Sequence, residues 1–130
     1  MSGASSAASG GEAGLAEGSG ESALRLVLCS APPEKAEAVA RAVLEKRLAA
    51  CVNIVPGVMS LYWWQGSLCR DAESMLLIKT RGDLVEALTE AIRSAHPYEV
   101  PEVIALPIQE GEGNAAYASW VRSETRALGG

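Results

Sequence analysis

Apolar positions recur at two spacings along the chain, and the switches between those spacings mark its elements. Leu24–Ser30 (LRLVLCS) is a short Leu- and Val-rich run bounded by small residues and by Ala31-Pro32-Pro33, the pattern of a buried strand. Pro33 suits the first position of a helix, and Glu34 its first turn, where the backbone dipole favours an acid. Ala36, Val39, Ala40, Val43, Leu44 and Leu48 then repeat at helical spacing, with Glu37, Arg41, Glu45 and Lys46 mainly on the other side.

Cys51–Trp64 (CVNIVPGVMSLYWW) is β-branched and aromatic but carries Pro56-Gly57. Proline is tolerated in a strand only at an edge or a bulge, so the pattern predicts a long, bent edge strand. Gln65-Gly66-Ser67 makes a turn, and Arg70–Thr80 returns as a third strand ending in the apolar run Met75–Ile78. Asp83, with Glu86 three residues later, has the spacing of a capping box, and Leu84, Leu88, Ala91, Ile92 and Ala95 form the stripe of a second helix that Pro97 stops. Val103–Ile108 reads as a fourth strand, and Asn114 as the cap of a final helix burying Tyr117, Trp120 and Val121.

The order is therefore β-α-β-β-α-β followed by a helix. Two βα units with right-handed crossovers, joined by a hairpin, predict an α+β ferredoxin-like sandwich: four antiparallel strands with both helices on one face. That fold hosts many functions and selects none.

The strand lengths disagree in a telling way. The first and fourth strands hold about seven and six residues while the second holds fourteen, so at ~3.3 Å per residue the central hairpin projects beyond its neighbours. Its tip carries Leu61, Tyr62, Trp63 and Trp64 in succession, presenting apolar groups to both faces. A lone subunit would leave an exposed apolar patch and an unpaired edge. Pairing each arm with a neighbour's sheet edge removes both, and closed head-to-tail pairing makes a ring. The tryptophans are expected to pack between subunits, not to bind a small molecule.

Composition sharpens this picture by exclusion. Residues 1–23 hold six Gly, six Ser and six Ala, too little apolar surface to offset ordering entropy, and are expected to be a disordered tail ahead of one domain over residues 24–130. The formal net charge is −5, with no basic run, which argues against nucleic-acid binding. No apolar stretch approaches the ~18–20 residues of a membrane span. Neither a secretion signal nor an Arg-rich transit pattern begins the chain, so a cytoplasmic protein is expected, or an organellar one if a presequence has been removed.

Candidate chemistry is sparse. Three cysteines, Cys29, Cys51 and Cys69, lack C-x-x-C spacing, and His96 is the single histidine, so a disulfide framework and a four-ligand structural zinc site are not expected within one chain. Cys29 and His96 could in principle form a thiol–imidazole pair, but a cysteine on a buried strand is ordinarily a small hydrophobe with a raised pKa. No known catalytic motif occurs, and no catalytic residue is expected. The segment Ala95–Glu102 (AHPYEVPE) concentrates the histidine, two prolines, a tyrosine and two acids at one end of the sheet. The prolines stiffen it, holding Glu99 and Glu102 in fixed directions. His96 there could simply complement the end of its helix. In a metal reading, imidazole with thiolate suits copper or zinc, and Cys29, at the end of a central strand, can approach this loop.

LCSAPPEKAEAVARAVLEKRLAACVNIVPGVMSLYWWQG, then LLIKTR, HPYEVPEVIALPI and YASWVRSETR, in this order over Leu24–Arg126, resemble the CutA divalent-cation tolerance family. The resemblance implies a ferredoxin-like subunit in a tight homotrimer similar to PII signalling proteins, without enzymatic activity. It implies a role in copper or divalent-metal tolerance, with Cys29 of LCSAPP and a histidine pair ending at HPY as metal ligands. Here Ala95 precedes His96 where that pair would have a second histidine, leaving Glu102 as a substitute oxygen donor. The alternative is a PII-like signalling, anchoring or interaction module that takes a small anion or a partner protein in a cleft between subunits.

Overall fold

The computed structural model describes residues 23–126. Its elements are β1 (Leu24–Ala31), α1 (Ala36–Glu45), β2 (Cys51–Trp64), β3 (Ser67–Arg81), α2 (Val85–Ala95), β4 (Ile104–Pro107) and α3 (Ala115–Ser123), with single 3-10 turns at Gly82–Leu84 and Glu110–Glu112. The four strands form one sheet in the order β2-β3-β1-β4, every neighbouring pair antiparallel, as the ferredoxin-like connection requires.

The core lies between one face of this sheet and the two longer helices. Val27, Cys29, Leu76 and Ile78 point from the strands, Val39 and Val43 from α1, and Leu88 and Ile92 from α2, all of them fully buried. Period-two alternation on β1 and β3 and the 3.6 period on the helices put these residues on facing surfaces. A second small cluster packs Ala118 and Val121 of α3 against Leu24, half-buried Ala50 and Ile108. Buried Thr80 donates to the Leu48 carbonyl at 2.6 Å, tying β3 to the turn that follows α1.

The hairpin follows its local chemistry closely. Gln65 and Gly66 both take positive φ, 49° and 82°, as a tight two-residue connection demands. Register shifts between Val55 and Val58, so Pro56 and Gly57 form a bulge in which Gly57 sits at φ 78°. β1 stops pairing with β3 at Ser74, so beyond that point, among the described residues, β2 and β3 pair only with each other. About seven paired residues on each strand, Val58–Trp64 against Ser67–Glu73, make an arm roughly 23 Å long at ~3.3 Å per residue.

Four local expectations are corrected. Pro33 does not open the helix: Pro32–Lys35 closes as a turn through the Lys35 N–H on the Pro32 carbonyl, and α1 begins at Ala36. Asp83 does not cap α2; its carboxylate takes the Arg81 guanidinium at 2.6 Å, and a 3-10 turn leads into the helix. The fourth strand is Ile104–Pro107, shorter than Val103–Ile108. Tyr117 and Trp120 are 45% and 41% exposed, so the buried face of α3 is Ala118 and Val121. Asn114 does cap α3, accepting from the Ala116 N–H at 2.9 Å. Of the expected tail only Ala23 lies among the described residues; it is buried, and its carbonyl accepts from the Gly82 N–H.

Candidate functional site

The loop after α2 returns beneath the base of the arm, and the two enclose a cavity of about 740 Å³. The arm contributes Met59, Leu61, Tyr62 and Trp64; β3 contributes Glu73 at the point where it leaves the sheet; the loop contributes Tyr98, Glu99 and Glu102. Among the described residues no lysine, arginine or histidine lines it. Glu73 is buried and accepts the Tyr98 hydroxyl on Oε2 at 2.7 Å. Burial, and then this bond to Glu73, push the Tyr98 phenol well above its ordinary pKa. Tyr62 donates to Asp71 across the hairpin, and that bond above all raises its pKa to about 12.

Behind the cavity wall, β1 and the C-terminus of α2 meet at the Ser30 carbonyl. His96 follows the last turn of α2, its N–H bonded to the Ile92 carbonyl, and its buried ring turns inward. Nε2 lies 2.7 Å from the Ser30 carbonyl, which only accepts, so Nε2 carries the proton. Nδ1 accepts the Tyr98 N–H at 3.1 Å, and the His96 and Tyr98 rings lie 4.6 Å apart. The Cys29 thiol points at the same Ser30 carbonyl from 3.7 Å. Burial, helped by the negative charges of Glu102 and Glu73, pushes this thiol up to about 12. It is a protonated, uncharged group at neutral pH.

With this geometry in view, comparison with known proteins is decisive. The profile of the CutA1 divalent ion tolerance protein family matches residues 25–124. The chain belongs to the CutA1 family. Human protein CutA is 53% identical over 98 residues, covering 75% of this chain and 54% of that protein. The divalent-cation tolerance protein CutA of Thermus thermophilus is 48% identical over 101 residues, covering 77% of this chain and 96% of that protein. The chain thus spans about half the length of the human relative and nearly all of the bacterial one. The solved Thermus structure superposes with a TM-score of 0.75 over 79% of this chain and 99% of that one. A structure of Nostoc sp. PCC 7120, described as a PII-like protein CutA in apo form, is 35% identical with a TM-score of 0.74, covering 78% of this chain and 97% of that one.

The fold thus brings Cys29 and His96 to one oxygen and sets Glu102 close enough to act on the thiol. Their donor types suit copper, but their bonds do not leave them free. The thiol holds its proton, and both imidazole nitrogens are engaged inside the protein. Among the described residues no group of three His, Cys, Asp or Glu side chains is placed to share one metal ion. The residues that motif reading missed are Glu73 and the carbonyl of Ser30. A backbone acceptor leaves no mark in a sequence. Glu73 did leave one, an acid in the β3 run just before its apolar end, but only pairing with Tyr98 gives it meaning.

Proposed function

We propose that this CutA1-family chain is a non-enzymatic, cytoplasmic homotrimer that acts in the cell's response to divalent metal ions. The observation that carries the assembly is the arm. Leu61, Trp63 and Leu68 are 65%, 73% and 63% exposed on a hairpin that has lost its third strand. The outer edge of β2 is one end of the sheet and the short, exposed β4 is the other. Head-to-tail pairing of β2 in one subunit with β4 in the next satisfies both edges, buries the arm and closes a ring. Divalent-metal tolerance comes from the family and from the Thermus relative's name.

In the copper reading, Cys29 and His96 are the ligands and Glu102 an oxygen donor. Deprotonating a thiol whose pKa is about 12 and releasing His96 from Ser30 oppose this, so weak binding at neutral pH is the expected result. Titrating copper into the wild type, Cys29→Ser and His96→Ala tests it. Loss of binding in both variants supports the site, and three indistinguishable isotherms remove it. Native mass spectrometry of the same samples reports the trimer, and single chains at micromolar concentration would overturn the assembly.

The signalling alternative gains support from the Nostoc protein's PII-like description and from the cavity beside the arm. A small anion is a poor occupant there, because it would face Glu73, Glu99 and Glu102 with no cation of the same subunit lining the wall. A positively charged ligand suits it better.

A further inference from the structure

Three carboxylates line the cavity under the arm, and among the described residues no cation lines it with them. Glu73 is only 5% exposed; Tyr98 occupies Oε2, and among the described residues no donor reaches Oε1. A carboxylate taken out of water is costly unless a cation or several donors meet it. Glu99 and Glu102 add two further acids to the same wall. These charges do not converge, since among the described residues no three acidic, histidine or cysteine groups could chelate one metal ion. Met59, Met75 and the ring of Tyr62 line the same cavity.

Separate negative points joined by an apolar and aromatic wall are the complement of separate ammonium groups joined by methylene chains. We propose that this cavity binds a linear aliphatic polyamine. Its ammonium groups pair with Glu73, Glu99 and Glu102, one of them seated on the open Oε1 of Glu73. Its methylenes lie against Met59 and Met75, and the Tyr62 ring adds a cation–π contact. The volume, about 740 Å³, is in the range of small-molecule sites. Neither Cys29 nor His96 lines the cavity, so the inference does not rest on the copper reading; Glu102 alone is common to both.

The test is isothermal titration of spermidine into the full-length, assembled protein at low and moderate salt. Butylamine, and magnesium at matched ionic strength, serve as controls. Spermidine is expected to bind at one site per subunit, more tightly than either control, and to weaken as salt rises. Glu73→Gln keeps the shape and the acceptor for Tyr98 while removing the charge, and should weaken binding about tenfold or more. Glu99→Gln gives a second measure if the first variant misfolds. Exposed Glu37→Gln, in a surface pair with Arg41, should change affinity less than about twofold. Spermidine no tighter than magnesium or butylamine, or unaffected by both cavity variants, overturns the proposal. So does failure of the assembled protein to bind it, which would mean that a neighbouring subunit fills the space.

Discussion

The helix-covered half of the sheet and the projecting arm are made from the same two strands, yet they solve opposite problems. Along β3, Leu76, Ile78 and Thr80 are fully buried beneath α1 and α2. A few residues earlier on the same strand, Leu68 is 63% exposed and only β2 lies beside it. The body buries its apolar surface within one chain and is expected to fold on its own terms. The arm exposes Leu61, Trp63 and Leu68 and among the described residues has nothing to bury them against, so in the proposed assembly its stability is expected to come from another copy. Strand identity is thus decided by local sequence, while strand environment is decided by where the third strand stops.

Breaking the arm should therefore have the largest consequence and should spare the body. Leu61→Ser combined with Trp63→Ser is expected to weaken subunit association about 100-fold or more, since truncated central aromatics dominate interface energies. Sedimentation against concentration reads the effect, and an unchanged oligomer would place the interface elsewhere. Breaking the body gives the converse result. Ile92→Ala, beneath the sheet, should cost about 2–5 kcal/mol in denaturant unfolding. Association under native conditions should persist.

The junction between the two halves should respond less. His96→Ala removes the donor to Ser30 and the acceptor for Tyr98, with an expected loss of about 1–3 kcal/mol. An unchanged denaturation midpoint would show that solvent replaces both bonds. The Cys29 thiol supplies a pH signature at the same place. Its pKa rises from 9.0 to about 12 in the folded chain, so above pH 9 the unfolded state has lost the proton that the native state retains. Stability should be flat with respect to this group below about pH 9 and fall between about pH 9 and 12, a component that Cys29→Ala removes. Iodoacetamide should likewise leave Cys29 unmodified in the folded chain at pH 8 and reach it on unfolding. The smallest effect lies farthest from the comparison: Asn114→Ala at the start of α3 should cost about 1 kcal/mol and leave the oligomer intact.

Much of this architecture could be read in advance, and the failures have specific causes. The bulge at Pro56-Gly57, the turn at Gln65-Gly66 and the stripes of α1 and α2 are local devices whose chemistry is written into a few adjacent residues. Pro33 and Asp83 were misleading because each had a competing local partner: a turn closed by Lys35 in one case, the Arg81 guanidinium in the other. Tyr117 and Trp120 sit at helical spacing with Val121, but it is Ala118 and Val121 that pack beside Leu24 in the second cluster. At the site, Cys29, His96 and Glu102 could be picked out by residue type. That the His96 ring reaches the Ser30 carbonyl, and that Glu73 faces Tyr98, could not, because those partners are 66 and 25 residues apart in the chain.

By itself, the order of residues determined which segments are helix and which are strand, that the second and third strands are too long for their neighbours, and that the arm they form is apolar on both sides. Those properties depend on spacings of two to four residues, within reach of local sterics and periodicity. Only the tertiary structure decided that three carboxylates and the arm's aromatic rings share one cavity, and that the thiol and the imidazole end on the same carbonyl oxygen. Such meetings arise from how β1, β3 and the loop after α2 pack together, and no local rule encodes a contact between elements so far apart.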